Sequence, residues 1–251
     1  MHTATADPSP TLLVLGGSSD IGRAIAHRYA QAGYTIWLAG RQSHTLAADT
    51  EDIRIRYGVS VQVFVFDALA YDTHPAFFEQ LPYVPDTICW AVGLLGDQET
   101  AAHDPAQAIL IAATNYTGAV SALGIAASLL EAQGRGTLIG ISSVAGDRGR
   151  GSNYLYGSAK AGLTAFLSGL RNRLAASGIQ VLTVKPGFVD TAMTAGLPLP
   201  APLTAQPAEV ARAVYHAAQK KRHTVYVKPV WRWIMLIIKL IPEPIFMRLR
   251  L

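Results

Sequence analysis

Leu12-Leu13-Val14-Leu15 is apolar at every position and stops at Gly16-Gly17. A strand with one face in water alternates apolar and polar residues, whereas an unbroken apolar run needs cover on both sides. The run therefore asks for a parallel sheet with helices above and below it. The rest of the chain fits that demand. Ile21 to Gln31 reads as a helix stopped by Gly33, Thr35 to Ala39 as a second strand, His44 to Tyr57 as a helix and Val61 to Phe66 as a third strand. Asp86 to Ala91, Thr137 to Ile141, Val181 to Val184 and Thr224 to Val227 read as further strands. Helical stretches at Pro105 to Leu130, Tyr154 to Ser177 and Pro207 to Lys220 separate them. The expectation is a single doubly wound α/β domain of about seven parallel strands with helices on both faces. It would occupy residues 11–228, between a flexible start (residues 1–10) and an apolar, basic C-terminal segment (residues 229–251).

Composition narrows the function. Half of the 251 residues are hydrophobic and 15% are charged, enough for one large core. The single cysteine, Cys89, lies among apolar neighbours and reads as an ordinary buried thiol of a reducing, cytoplasmic protein. Met1 to Pro10 has no Lys or Arg and no apolar core, unlike a secretory leader. The seven histidines form no ligand cluster, so no metal is expected. The net charge of +4 is carried wholly by residues 228–251, with five basic residues and one acid. The neutral body argues against nucleic-acid binding.

Gly16-Gly17-Ser18-Ser19-Asp20-Ile21-Gly22 lies between the first strand and the first helix. Gly16 would permit the tight turn, and Gly22 would let the helix approach the sheet. The helix N-terminus, with Ser18, Ser19, Asp20 and Ile21, would face a dinucleotide pyrophosphate. Asp20 stands where a middle glycine is common. Its carboxylate is expected to cap the helix N–H groups or turn to solvent. After the second strand comes Gly40-Arg41-Gln42-Ser43, with no acid before Asp49. An acid there would favour a ribose 2′-OH; Arg41 could instead pair with a 2′-phosphate, so NADP(H) is favoured over NAD(H).

Tyr156 and Lys160 are four apart in a helical stretch and share a face. A cation about 4 Å from a phenolate contributes roughly 4 kcal/mol at an effective dielectric of about 20, which would bring a tyrosine into range for proton transfer. Ser143 ends the fifth strand, Asn115 lies in the long helix before it, and Pro186-Gly187-Phe188-Val189-Asp190-Thr191 follows the sixth strand.

Together these residues resemble the short-chain dehydrogenase/reductase family, over roughly residues 11–195. The resemblance implies a Rossmann-type fold and a nicotinamide-dependent oxidoreductase. Tyr156 would be the proton donor, Ser143 would bind the substrate carbonyl, and Lys160 would also hold the nicotinamide ribose. Asn115 would support a water relay. Asp67 would contact the adenine, Ala91, Val92 and Gly93 would pass close to the cofactor, and Pro186, Gly187, Val189 and Thr191 would lie towards the nicotinamide end. Trp90-Ala91-Val92-Gly93 replaces the usual Asn-Asn-Ala-Gly, which removes local hydrogen-bonding side chains.

The glycine turn, the Leu95-Gly96-Asp97-Gln98 loop and the Trp- and Ile-rich ending are similar to the decaprenylphosphoryl-2-keto-ribose reductase branch, which implies a 2-keto sugar on a polyprenyl phosphate. A soluble reductase of acyl, steroid or xenobiotic ketones is the alternative within the enzyme class. A non-catalytic cofactor-binding sensor or partner protein is the alternative outside it. Trp231 to Ile241, as a helix, spans about 17 Å, too short for a bilayer core of roughly 30 Å. With Arg232 and Lys239 interspersed, it suits an interfacial helix on anionic lipid at the inner face of the membrane, a contact within a homodimer or homotetramer, or a helix that completes the substrate pocket.

Overall fold

The structure is a computed structural model that describes residues 9–249. The first eight residues of the expected flexible start, and Arg250 of the basic ending, lie outside the described residues. Nine strands are described: β1 Thr11–Leu15, β2 Thr35–Gly40, β3 Val61–Val65, β4 Thr87–Trp90, β5 Thr137–Ile141, β6 Gln180–Pro186, β7 Phe188–Val189, β8 Thr204–Ala205 and β9 Thr224–Val227. The helices are α1 Asp20–Ala30, α2 Ala47–Tyr57, α3 His74–Glu79, α4 Gln98–His103, α5 Pro105–Ala112, α6 Gly118–Gln133, α7 Tyr154–Leu174, α8 Pro207–Gln219, α9 Val230–Leu240 and α10 Glu243–Phe246.

Seven strands form one parallel sheet in the order β3-β2-β1-β4-β5-β6-β9. β7 and β8 pair separately beyond the carboxyl end of β6. The central strands are buried on both faces. Leu12 and Val14 join Ile25, Ile36, Cys89 and Val214 in the core beneath α1 and α8. Leu13 and Leu15 join Trp37, Trp90, Leu123 and Leu163 beneath α6 and α7. The two hydrophobic layers account for the unbroken apolar strands.

The long helix expected from Pro105 is not continuous. Ala113–Thr117 forms a π-turn between α5 and α6, with Asn115 within it. The whole stretch Pro105–Gln133 is long and apolar enough to cross a membrane by length and composition. Ala119, Ala122, Leu123, Ala126 and Leu130 are nonetheless buried in the core.

The strand order reverses between β1 and β4, and the turns after these two strands abut. Gly16 adopts φ +91, and a Cβ there would lie 2.8 Å from Val92 N. Ser19, not Asp20, caps α1: its Oγ accepts from Gly22 N at 3.1 Å and lies 2.8 Å from Gly16 O and 3.1 Å from Ala91 O. This corrects the expectation for Asp20. The Asp20 carboxylate accepts instead from Ala192 N at 2.8 Å, on the segment after β7.

A Cβ on Gly22 would lie 2.4 Å from Gly16 O and 2.8 Å from the capping Ser19 Oγ. Gly22→Ala should therefore cost about 1–3 kcal/mol and lower the melting temperature by roughly 3–10 °C. Gly124→Ala, in α6 with no atom within 4 Å of the new Cβ, should leave it unchanged or raise it. Thermal denaturation of both variants by circular dichroism checks this pair.

Candidate active site

The carboxyl ends of β1, β4, β5 and β6 surround a cavity of about 430 Å³. Ser18, Ser19, Asp20 and Ile21 line one wall, and Ala91, Val92 and Gly93 the next. Ser143, Tyr156 and Lys160 converge on a third wall. Pro186, Gly187, Val189 and Thr191 complete the enclosure. Four segments far apart in sequence thus meet where parallel α/β sheets bind ligands.

Five of the expected site residues do not line this cavity. Gly16 and Gly22 lie beneath it, shaping the turn. Asp67 forms a strand-end turn, accepting from Leu69 N at 2.9 Å. Arg41 is exposed directly after β2. The nearest following acid, Asp49, is held by Arg23 Nε at 2.9 Å, so its charge is compensated.

Asn115 is fully buried. Its Nδ2 donates to Leu94 O at 2.6 Å and to Ile111 O at 2.9 Å, and its Oδ1 accepts from Leu94 N at 3.2 Å. These bonds fix the segment after β4, where asparagine side chains are missing from the sequence. The π-turn opens the helix backbone enough for Asn115 to bond the Ile111 carbonyl and still reach Leu94.

Ser143 caps a short 3₁₀ turn, its Oγ accepting from Ala145 N at 3.1 Å. Tyr156 and Lys160 sit in the first two turns of α7. Lys160 is buried and donates from Nζ to Ile141 O at 3.1 Å. Its Nζ lies 5.6 Å from the centre of the Tyr156 ring. Burial pushes the lysine down to about 7. Burial also pushes the Tyr156 phenol up to about 12, opposed by the neighbouring Ser143 hydroxyl. The expected lowering of the tyrosine by Lys160 does not emerge here: burial dominates the phenol, and burial also disfavours the charged lysine in the same wall.

The loop joining Ser143 to Tyr156 is anchored from outside the cavity. Asp147 pairs with Lys185 and accepts from Tyr226 Oη at 2.8 Å. Arg148 closes the C-terminus of α9, donating to Ile238 O and Ile241 O, both at 2.6 Å, and pairing with Glu243 at 2.8 Å. The apolar ending also reaches the site. Trp231 of α9 lines the cavity, donates from Nε1 to Leu203 O at 3.1 Å, and lies so close over Gly187 that a Cβ there would come within 2.0 Å of its ring. Trp231, Arg150 and Asn153 are wall residues that the sequence reading missed. The alternative assignment of the tail to substrate or subunit packing was the nearest signal for Trp231. Arg150 lies in a Gly-rich, charged loop that reads as solvated.

The family profile for short chain dehydrogenase matches residues 10–200. An uncharacterized oxidoreductase of Mycobacterium tuberculosis is 38% identical over 241 residues, covering 95% of this chain and 96% of the relative. The 3-oxoacyl-(acyl-carrier-protein) reductase of Aquifex aeolicus is 31% identical over 188 residues, covering 74% of this chain and 76% of that protein. Among solved structures, a short-chain dehydrogenase from Sphingobium yanoikuyae in complex with NADPH shares the fold at a TM-score of 0.80 and 21% identity, over 93% of this chain and 97% of its own. The family match across most of the chain and the near full-length relative lead to one conclusion: the chain belongs to the short-chain dehydrogenase family of oxidoreductases.

Proposed function

We propose that the protein is an NADPH-dependent reductase that converts a ketone to a secondary alcohol, with Tyr156 as proton donor. The observation that carries this reading is the convergence of Ser143, Tyr156 and Lys160 on a cavity that the N-terminal turn of α1 also lines. The residues present fit a nicotinamide dinucleotide. The first N–H groups of α1 have no intrahelical partner and favour a phosphate. The space beside Gly93, where a Cβ would come within 3.5 Å of Lys160 Nζ, is left open by the glycine. Arg41, with Asp49 already paired, favours the 2′-phosphate form.

Bound there, the coenzyme supplies the hydride for the carbonyl carbon. The chain's own residues do the rest. The Ser143 hydroxyl donates a hydrogen bond to the carbonyl oxygen and polarises it. With its phenol raised to about 12, Tyr156 is protonated at neutral pH, the form an acid needs. It gives that proton to the oxygen as the C–O π bond becomes a C–O single bond. Lys160, when charged, compensates the phenolate left behind. The Aquifex relative is by name a reductase of a 3-oxoacyl group, which supports ketone reduction as the chemistry.

The finer reading is a 2-keto sugar on a polyprenyl phosphate, taken at the inner face of the membrane. What supports it is α9. One side of this helix, through Trp231, walls the cavity; the other leaves Trp233, Ile237 and Leu240 exposed by 61%, 65% and 72%. Arg232 and Lys239 are exposed on the same helix. An apolar face flanked by cations suits anionic lipid, and it would bring a lipid-borne substrate beside the pocket.

Three outcomes test this reading. Tyr156→Phe should lose roughly 100- to 10,000-fold in ketone turnover while NADPH still binds, read by nucleotide fluorescence; full turnover would remove Tyr156 as the acid. Lys160 falls from 10.5 unfolded to about 7 folded, so the unfolded chain holds more protons between those values and stability rises with pH across that window. Lys160→Met, without added nucleotide, should gain up to about 4 kcal/mol over the native protein below pH 7, an advantage that fades towards pH 10; denaturant titrations at several pH values measure it. The double variant Trp233→Glu, Ile237→Glu should stop pelleting with phosphatidylglycerol vesicles that retain the native protein. Equal pelleting would end the lipid reading, and a change in sedimentation coefficient instead would make this face a contact between copies.

A further inference from the structure

Arg150 is a cation of the pocket wall whose side chain has no hydrogen-bond or ion-pair partner among the described residues. It lies in the loop between Ser143 and Tyr156 and lines the same cavity as both. Its Nε is buried and has no hydrogen-bond partner. Among the described residues its guanidinium makes no ion pair. The loop's one carboxylate, Asp147, is committed to Lys185 and Tyr226, and Glu243 is committed to Arg148. Burial alone moves Arg150 below its ordinary value, with no opposing carboxylate contribution. A guanidinium keeps its proton under such conditions, so the desolvation is uncompensated until an anion arrives. Asn153, three residues on, also lines the cavity, and its Oδ1 is a buried acceptor without a partner.

We propose that Arg150 is a specificity-determining residue that binds an anionic group of the substrate, with Asn153 taking a substrate hydroxyl beside it. The substrate class is then a hydroxylated ketone bearing a phosphate or similar anion. This rests on the reductase reading of the same pocket and adds the group that the pocket selects. The anion is assigned to the substrate because Arg150 lies in the loop that joins Ser143 to Tyr156, the residues proposed to act on the carbonyl, and not in the α1 turn proposed to meet the coenzyme.

The test uses protein saturated with NADP⁺, so that coenzyme phosphates are already bound. Binding of dihydroxyacetone phosphate is compared with binding of dihydroxyacetone by calorimetry. The native protein should prefer the phosphate by about tenfold to hundredfold, the range of a charge-assisted hydrogen bond. Arg150→Gln should reduce that preference to within about threefold, with dihydroxyacetone and NADP⁺ binding unchanged. Arg150→Lys should keep part of it. Arg150→Gln should also melt no lower than the native protein, since it removes an uncompensated charge; a purely structural arginine would lower the melting temperature. The inference is overturned if the native protein shows no preference, if the preference survives Arg150→Gln, or if the loss falls on NADP⁺ instead. Failure of the reductase reading would show separately, as absent NADPH binding or unimpaired turnover in Tyr156→Phe.

Discussion

The site depends on one abutment. The turn after β1 and the turn after β4 meet at Gly16 and Val92 with no room for a side chain between them, since a Cβ on Gly16 would fall 2.8 Å from Val92 N. This contact sets where α1 begins, because Ser19 must reach the Gly16 and Ala91 carbonyls while capping Gly22. It also sets where the chain leaves β4, and Asn115 then holds that segment through Leu94. The opening between the diverging strands is the cavity. Its floor is therefore backbone, fixed by close packing, and its chemistry is hung on the walls by later parts of the chain.

Those walls carry a charge arrangement that packing alone would not select. Lys160 and Arg150 both face the cavity side of the fold, and burial opposes the charge on each. Neither is given a carboxylate. Asp20, in the first turn of α1, accepts from the Ala192 amide instead of capping its own helix. A pocket lined this way leaves Arg150 without a carboxylate partner among the described residues, and the proposed substrate anion answers that charge. A structure whose stability rests on two fully covered sheet faces can carry that local cost.

Much of this was legible in the chain. Strands buried on both faces appear as unbroken apolar runs, so the seven-stranded sheet could be read almost to the residue at Thr137–Ile141 and Thr224–Val227. The glycine turn and the Tyr156–Lys160 spacing are local and could be read for the same reason. What stayed hidden was set by distant partners. The π-turn at Asn115 has no local marker; its bonds to Leu94 cross 21 residues. Asp20 looked like a helix cap because capping is a local rule, yet its partner is 172 residues away. Arg150 sits among glycines and charges with no local marker of burial, yet its Nε is buried. The pKa directions of Tyr156 and Lys160 were also beyond spacing, since burial and not separation decides them.

The seat of Trp231 on Gly187 ties two distant parts of the chain into a single heritable unit. Any side chain at 187 would displace the indole, and losing the indole would leave the glycine beside a gap at the cavity wall. A side chain at 187 is therefore admitted only once the indole has been trimmed or re-aimed, so the β6 exit can change shape only after the C-terminal helix has released it.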